Sequence, residues 1–145
     1  QGVDGAKGPA PGYFISGTAW SRGALNDQNS YVDSITIPYI VVNNRRHLGK
    51  LVSVVEMNGS FPIVNHGVAA DFNGNTQGEG SIAMAELFGL SGSPKDGGTE
   101  ELKFCYIIYD TKTSFPGRNA VSKAEPLYEW LPKDANGFPC DCKKD

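Results

Sequence analysis

The chain is short of long apolar runs, of histidine and cysteine, and of basic excess, and each shortage removes a class of function. Its 145 residues contain no uninterrupted apolar stretch near the roughly 20 residues that cross a bilayer as a helix, so no membrane-spanning segment is expected. Thirteen Lys and Arg stand against sixteen Asp and Glu, a net charge of −3. Nucleic-acid binders ordinarily carry a basic face that neutralises phosphates, so nucleic acid is not an expected partner. The one basic cluster, Arg45, Arg46, His47 and Lys50, reads as a solvated turn between two strands. Three cysteines and two histidines are too few and too scattered for a triad or a metal centre. Cys140 and Cys142 lack the two-residue gap and the second ligand pair of a zinc site. No metal and no cofactor is expected. In an oxidising compartment Cys105 would pair with Cys140 or Cys142 and leave one thiol free.

What is abundant is glycine and proline, eighteen and nine. Punctuation this frequent leaves room for short strands and few long helices, so a mainly β (α+β) domain is expected. Residues 1–12, QGVDGAKGPAPG, bury almost nothing and read as a flexible arm, followed by a single domain over residues 13–145. Strands are predicted at residues 13–18, at 102–109, and at 35–42, where Pro38 marks an edge or a bulge. LVSVVEM at residues 51–57, Asn58-Gly59 and residues 61–65 read as a hairpin. Ser81 is placed to cap a helix over IAMAELFGL that stops at Gly89. A second helix over residues 119–131 would be divided by Pro126. Together these elements predict a small, mostly antiparallel six-stranded barrel decorated with short helices.

Most of the familiar catalytic signatures are missing. Ser81 in GEGS lacks the glycine-flanked elbow of hydrolases, and residues 78–80 lack the lysine and the longer glycine pattern of a phosphate loop. His66 reads as a buried or solvated imidazole. There remains AADFNGNTQGEGSIAMAELFGL, residues 69–90, in which Asp71 and Glu79 sit on a loop running from a strand into a helix. Both carboxylates can then face one concave surface. Glycoside hydrolysis needs such a pair, because one group protonates the leaving oxygen while the other activates water or attacks the anomeric carbon. A reading without chemistry also fits: Asp71 and Asn73 make an Asx turn, and Glu79 complements a helix dipole. Spacing alone leaves both open. If Glu79 is the acid, desolvation or the Asp71 charge must outweigh the helix N-terminus, which favours the ionised form.

GYFISGTA at residues 12–19, YVDSITIPYIVV at 31–42, ADFNG at 70–74 and GEGSIAMAELFGL at 78–90 together resemble glycoside hydrolase family 75, the fungal and bacterial chitosanases, from residue 12 to about residue 130. The resemblance implies endo-hydrolysis of a β-1,4-linked amino-sugar polymer, chitosan, without a metal and on a double-psi-like barrel. Asp71 falls on the family's catalytic Asp in its G-D-T-N-G motif, and Glu79 on the catalytic Glu of its I-G-E motif. Ala70, Phe72 and Gln77 depart from the family pattern; they leave both carboxylates in place but change their surroundings. Asp33, Asn73 and Tyr39 are candidate substrate-binding residues, with Glu56 as a further acidic wall and Trp20 and Tyr31 as further sugar-stacking rings. With water between the carboxylates the reaction inverts. The expected setting is secreted or periplasmic, with the leader absent from this chain, and the expected partner is the polysaccharide, met by a monomer. Two alternatives stand beside this reading: a peptidoglycan-degrading toxin or effector domain on the same fold, opposed by an inhibitor or immunity protein, and a non-catalytic carbohydrate-binding domain.

Overall fold

The computed structural model describes residues 2–3, 15–57, 62–75, 79–91 and 104–116. Its centre is a four-stranded sheet of β-branched and apolar segments: β3 (Tyr39–Val42), β4 (Lys50–Glu56), β5 (Ile63–Phe72) and β6 (Phe104–Lys112), in the order β3-β5-β4-β6. β1 (Gly2–Val3) and β2 (Ile15–Ser16) form a separate antiparallel ladder. β4 is valine-rich and buried from Leu51 to Glu56, as a strand covered on both faces must be. It pairs antiparallel with β5, Leu51 opposite Val68 and Glu56 opposite Ile63, and antiparallel with β6. β3 runs parallel to β5.

Alternation along the strands divides the core. Tyr39, Leu51, Val55, Val68 and Ile107 pack on one face, joined by Trp20 and Phe115; Ile40, Val42, Val52, Val54 and Met84 pack on the other. Each such side chain, taken fully out of water, contributes about 1.5–3 kcal/mol. Ser53 is fully buried in the middle of β4, with its Oγ 2.8 Å from His66 Nδ1 and 2.9 Å from the Tyr109 hydroxyl. His66 is thus half-buried and hydrogen-bonded within the sheet.

The expected helix forms as α1 (Ile82–Leu87). Ser81 caps it by accepting from the Met84 N–H, and Gly89 follows its end at φ 72°, a conformation only glycine adopts cheaply. Three features differ from the sequence expectation. The segment before Tyr39 is a turn bonded to Asp33, so the strand begins after Pro38. β5 runs on to Phe72, which puts Asp71 on a strand and not on a loop. The sheet is mixed, and the described strands do not close on themselves into a six-stranded barrel. Cys105 is exposed with a free thiol. The predicted helix at 119–131, the Asn58-Gly59 turn, Gln77, Cys140 and Cys142 lie outside the described residues.

Gly67 controls how closely β3 approaches β5. A Cβ there would collide with the Pro38 carbonyl and stand 2.7 Å from Met84 Cε, while the same carbonyl accepts the Val68 N–H at 3.1 Å. Gly67→Ala is therefore expected to destabilise the fold by roughly 2–3 kcal/mol, the range of an overpacked core, as measured by urea unfolding. An unchanged midpoint would show that β3 can move aside.

Candidate active site

Asp71 and Glu79 approach one another through backbone pairing rather than through sequence proximity. Val41 of β3 has Asp71 as its register partner on β5. On its other side, Ile40 bridges Gly80 antiparallel, the Val41 N–H donates to the Glu79 carbonyl at 2.7 Å, and the Ser81 N–H donates to the Tyr39 carbonyl at 2.9 Å. Glu79, Val41 and Asp71 thus occupy one row across three adjacent segments. Residues in one row turn their side chains to the same face. Two strand spacings separate the outer residues by about 10 Å between Cα atoms, with buried Val41 as the floor between them.

The row depends on a β-bulge. Ile40 pairs with Ala69 and Val41 with Asp71, so Ala70 is the extra residue on β5. Without it Val41 would face Ala70, and Asp71 would point to the opposite side of the sheet. The irregular backbone is satisfied from outside the sheet: the Gly49 N–H donates to the Ala69 carbonyl at 2.8 Å and the Trp20 N–H to the Ala70 carbonyl at 2.9 Å. The adjacent Ala19 N–H donates to Asp71 Oδ1 at 2.9 Å, joined by the N–H of Phe72 at 2.8 Å. Among the described residues Oδ2 of Asp71 and the whole Glu79 carboxylate have no hydrogen-bond partner; Asp71 is half-buried and Glu79 exposed.

A family profile described as fungal chitosanase of glycosyl hydrolase group 75 matches residues 12–131. The chain belongs to this family. No curated protein sequence matches it closely enough to add to that assignment. Membership makes the chain a glycoside hydrolase domain, and places the Asp71–Val41–Glu79 row inside the matched region of this group 75 member.

The other candidate residues are distributed unevenly. Tyr39 lies on β3, two residues before Val41 and on the same face, with its ring packed in the core. That burial leaves only its hydroxyl for a ligand. Asp33 is 5% exposed and holds a turn: Oδ1 accepts from the Ile35 N–H and Oδ2 from the Thr36 hydroxyl. Asn73 makes the expected Asx turn, its Oδ1 accepting from the Asn75 N–H, and its own N–H donates to Val42. Glu56, opposite Ile63, sits about 26 Å along β5 from Asp71 and is not part of the row. The Trp20 indole packs edge-on against Phe115, and the Tyr31 hydroxyl donates to the Leu25 carbonyl.

Two contributors escaped the sequence reading. Ala19 acts through its backbone N–H, which no side chain announces. Ser81, set aside as a nucleophile, is the bracket that fastens the Glu79 segment to β3. Arg45 lies 4.3 Å above the ring of Phe72, which follows Asp71 and is turned by strand alternation to the opposite face with Val42. The turn that carries it is the short 3-10 segment Arg45–His47, as expected for the basic cluster. Burial, then Lys50 and Arg46, hold His47 below the usual imidazole range, so the cluster's positive charge at pH 7 resides in Arg45, Arg46 and Lys50.

Proposed function

We propose that this domain hydrolyses a β-1,4-linked amino-sugar polymer, chitosan in the first instance, with Asp71 and Glu79 as the catalytic pair and with inversion at the anomeric carbon. The observation that supports this most is the shared row, which holds two carboxylates of a group 75 member on one face across a buried valine. An inverting pair stands roughly 6.5–9.5 Å apart to admit water, whereas a retaining pair stands near 5 Å, and residues two strand spacings apart suit the wider gap.

The roles follow from how each group is held. Asp71 is oriented by two N–H donors on Oδ1, leaving Oδ2 to take a proton from water as that water attacks the anomeric carbon. Glu79, longer and exposed, donates its proton to the glycosidic oxygen as the bond to that carbon breaks. Asn73 and Asp33 shape the walls beside Asp71, and closure of the sheet into a double-psi-like barrel and a secreted or periplasmic setting belong to the same proposal. Incubation with chitosan, chitin and peptidoglycan should release new reducing ends, and proton NMR of the first products should show the α-anomer. Initial β-anomer would refute inversion, and binding without new ends would refute catalysis.

A further inference from the structure

We propose that the Tyr39 hydroxyl is a third catalytic group, donating a hydrogen bond to the water that Asp71 activates; this rests on the assignment of Asp71 as the base. Tyr39 is 5% exposed, and its ring is fixed among Val32, Ile37, Val68 and Ala70. Its backbone is fully used, the N–H donating to Ser81 Oγ at 3.0 Å and the carbonyl accepting from the Ser81 N–H at 2.9 Å. The hydroxyl, in contrast, has no hydrogen-bond partner among the described residues. The ring is held in the core, while the oxygen at its tip is not sealed from solvent and stays open to a ligand or water. A rigidly held, open donor on the same face as the Asp71 row is placed to meet a molecule that enters the site.

The charges around Tyr39 fix what that molecule is. Burial first, then the carboxylates of Asp71 and Asp33, hold the phenol protonated across any working pH, so it donates and does not act as a base. Both Asp33 oxygens already accept within the turn, from Ile35 and Thr36. Asp71 Oδ1 is likewise committed to Ala19 and Phe72. Of the two carboxylates whose charge reaches the phenol, Asp71 keeps an open acceptor, Oδ2, and the two make no direct bond. A water between them satisfies both: one of its protons goes to Oδ2, one lone pair accepts from Tyr39, and the remaining lone pair is directed at the anomeric carbon. When the new C–O bond forms, the water proton passes to Asp71, the glycosidic bond breaks with a proton from Glu79, and Tyr39 keeps its own.

The test is Tyr39→Phe, which removes one oxygen and keeps the ring. kcat on the hydrolysed polymer should fall roughly ten- to a hundredfold, with KM changed less than about twofold and both limbs of the pH–rate profile in place. The thermal midpoint should change little, because the ring stays in place and the hydroxyl bonds to none of the described residues. A normal kcat, a change confined to KM, or a marked fall in midpoint would each overturn the proposal. Asp71→Asn is measured alongside. If it is inactive while Tyr39→Phe is normal, only the role of Tyr39 fails; if it stays active, the base assignment and this proposal fall together.

Discussion

Asp71→Asn and Glu79→Gln should each reduce turnover about a thousandfold or more while leaving the melting temperature little changed. The separation of activity from stability follows from how each side chain is held. In Asp71→Asn the amide oxygen still accepts from the Ala19 and Phe72 N–H groups at the position of Oδ1, so the end of β5 keeps its anchor and loses only the basic oxygen. Glu79 is exposed and its carboxylate has no partner among the described residues, so a neutral isostere disturbs no packing. The roles are separable as well. With an aryl glycoside whose leaving group needs little protonation, Glu79→Gln should recover much of its rate and Asp71→Asn should not. Azide, which replaces activated water, should rescue Asp71→Asn alone. Near-normal turnover in either variant would remove that residue from the mechanism, and the opposite rescue pattern would exchange their roles.

Ser81→Ala is expected to damage stability and activity together. The hydroxyl is 3% exposed and makes three hydrogen bonds: it accepts from the Tyr39 N–H at 3.0 Å and the Met84 N–H at 3.1 Å, and donates to the Ile37 carbonyl at 2.9 Å. Losing a helix cap costs about 1 kcal/mol, and each buried group left unmatched costs about 1 kcal/mol more, a total near 3 kcal/mol. For a domain of this size that lowers the melting temperature by roughly 10 °C in calorimetry. Because the same hydroxyl ties the Glu79 segment to β3, kcat should fall below what the fraction folded explains. A variant with full specific activity at low temperature would show that the Glu79–Val41 backbone bond suffices to hold the acid.

How far the chain discloses its structure depends on whether the cause is local. Ser81 and Gly89 bound α1 because capping and left-handed backbone are decided within a few residues, and the antiparallel partnership of residues 51–57 with the following strand is similarly near in sequence. Asp71 and Glu79 were singled out by their chemistry and by the family pattern around them. Their meeting was not. It requires β3 to lie parallel beside β5, with β4 intervening in the chain, and one surplus residue at Ala70, and neither has a local signature. The extent of β5 was underestimated because His66, Gly67 and Asp71 interrupt the usual apolar alternation, although the pairing with β3 and β4 carries the strand through them. The structural part of Asp33 was not legible either: its carboxylate closes the turn that delivers the chain to Pro38, a bond to residues two and three places on that the sequence pattern did not announce.

The surplus residue on β5 also divides what variation can touch. The carbonyls of Ala69 and Ala70 are clamped by Gly49 and Trp20, stretches of chain some twenty and fifty positions away, so the Asp71 end of the strand cannot drift unless two distant partners release it together. The arginine-bearing turn at residues 45–47 has no such duty toward Asp71 and Glu79. Substitutions there therefore alter the surface over Phe72 while the row of Asp71, Val41 and Glu79 keeps its register.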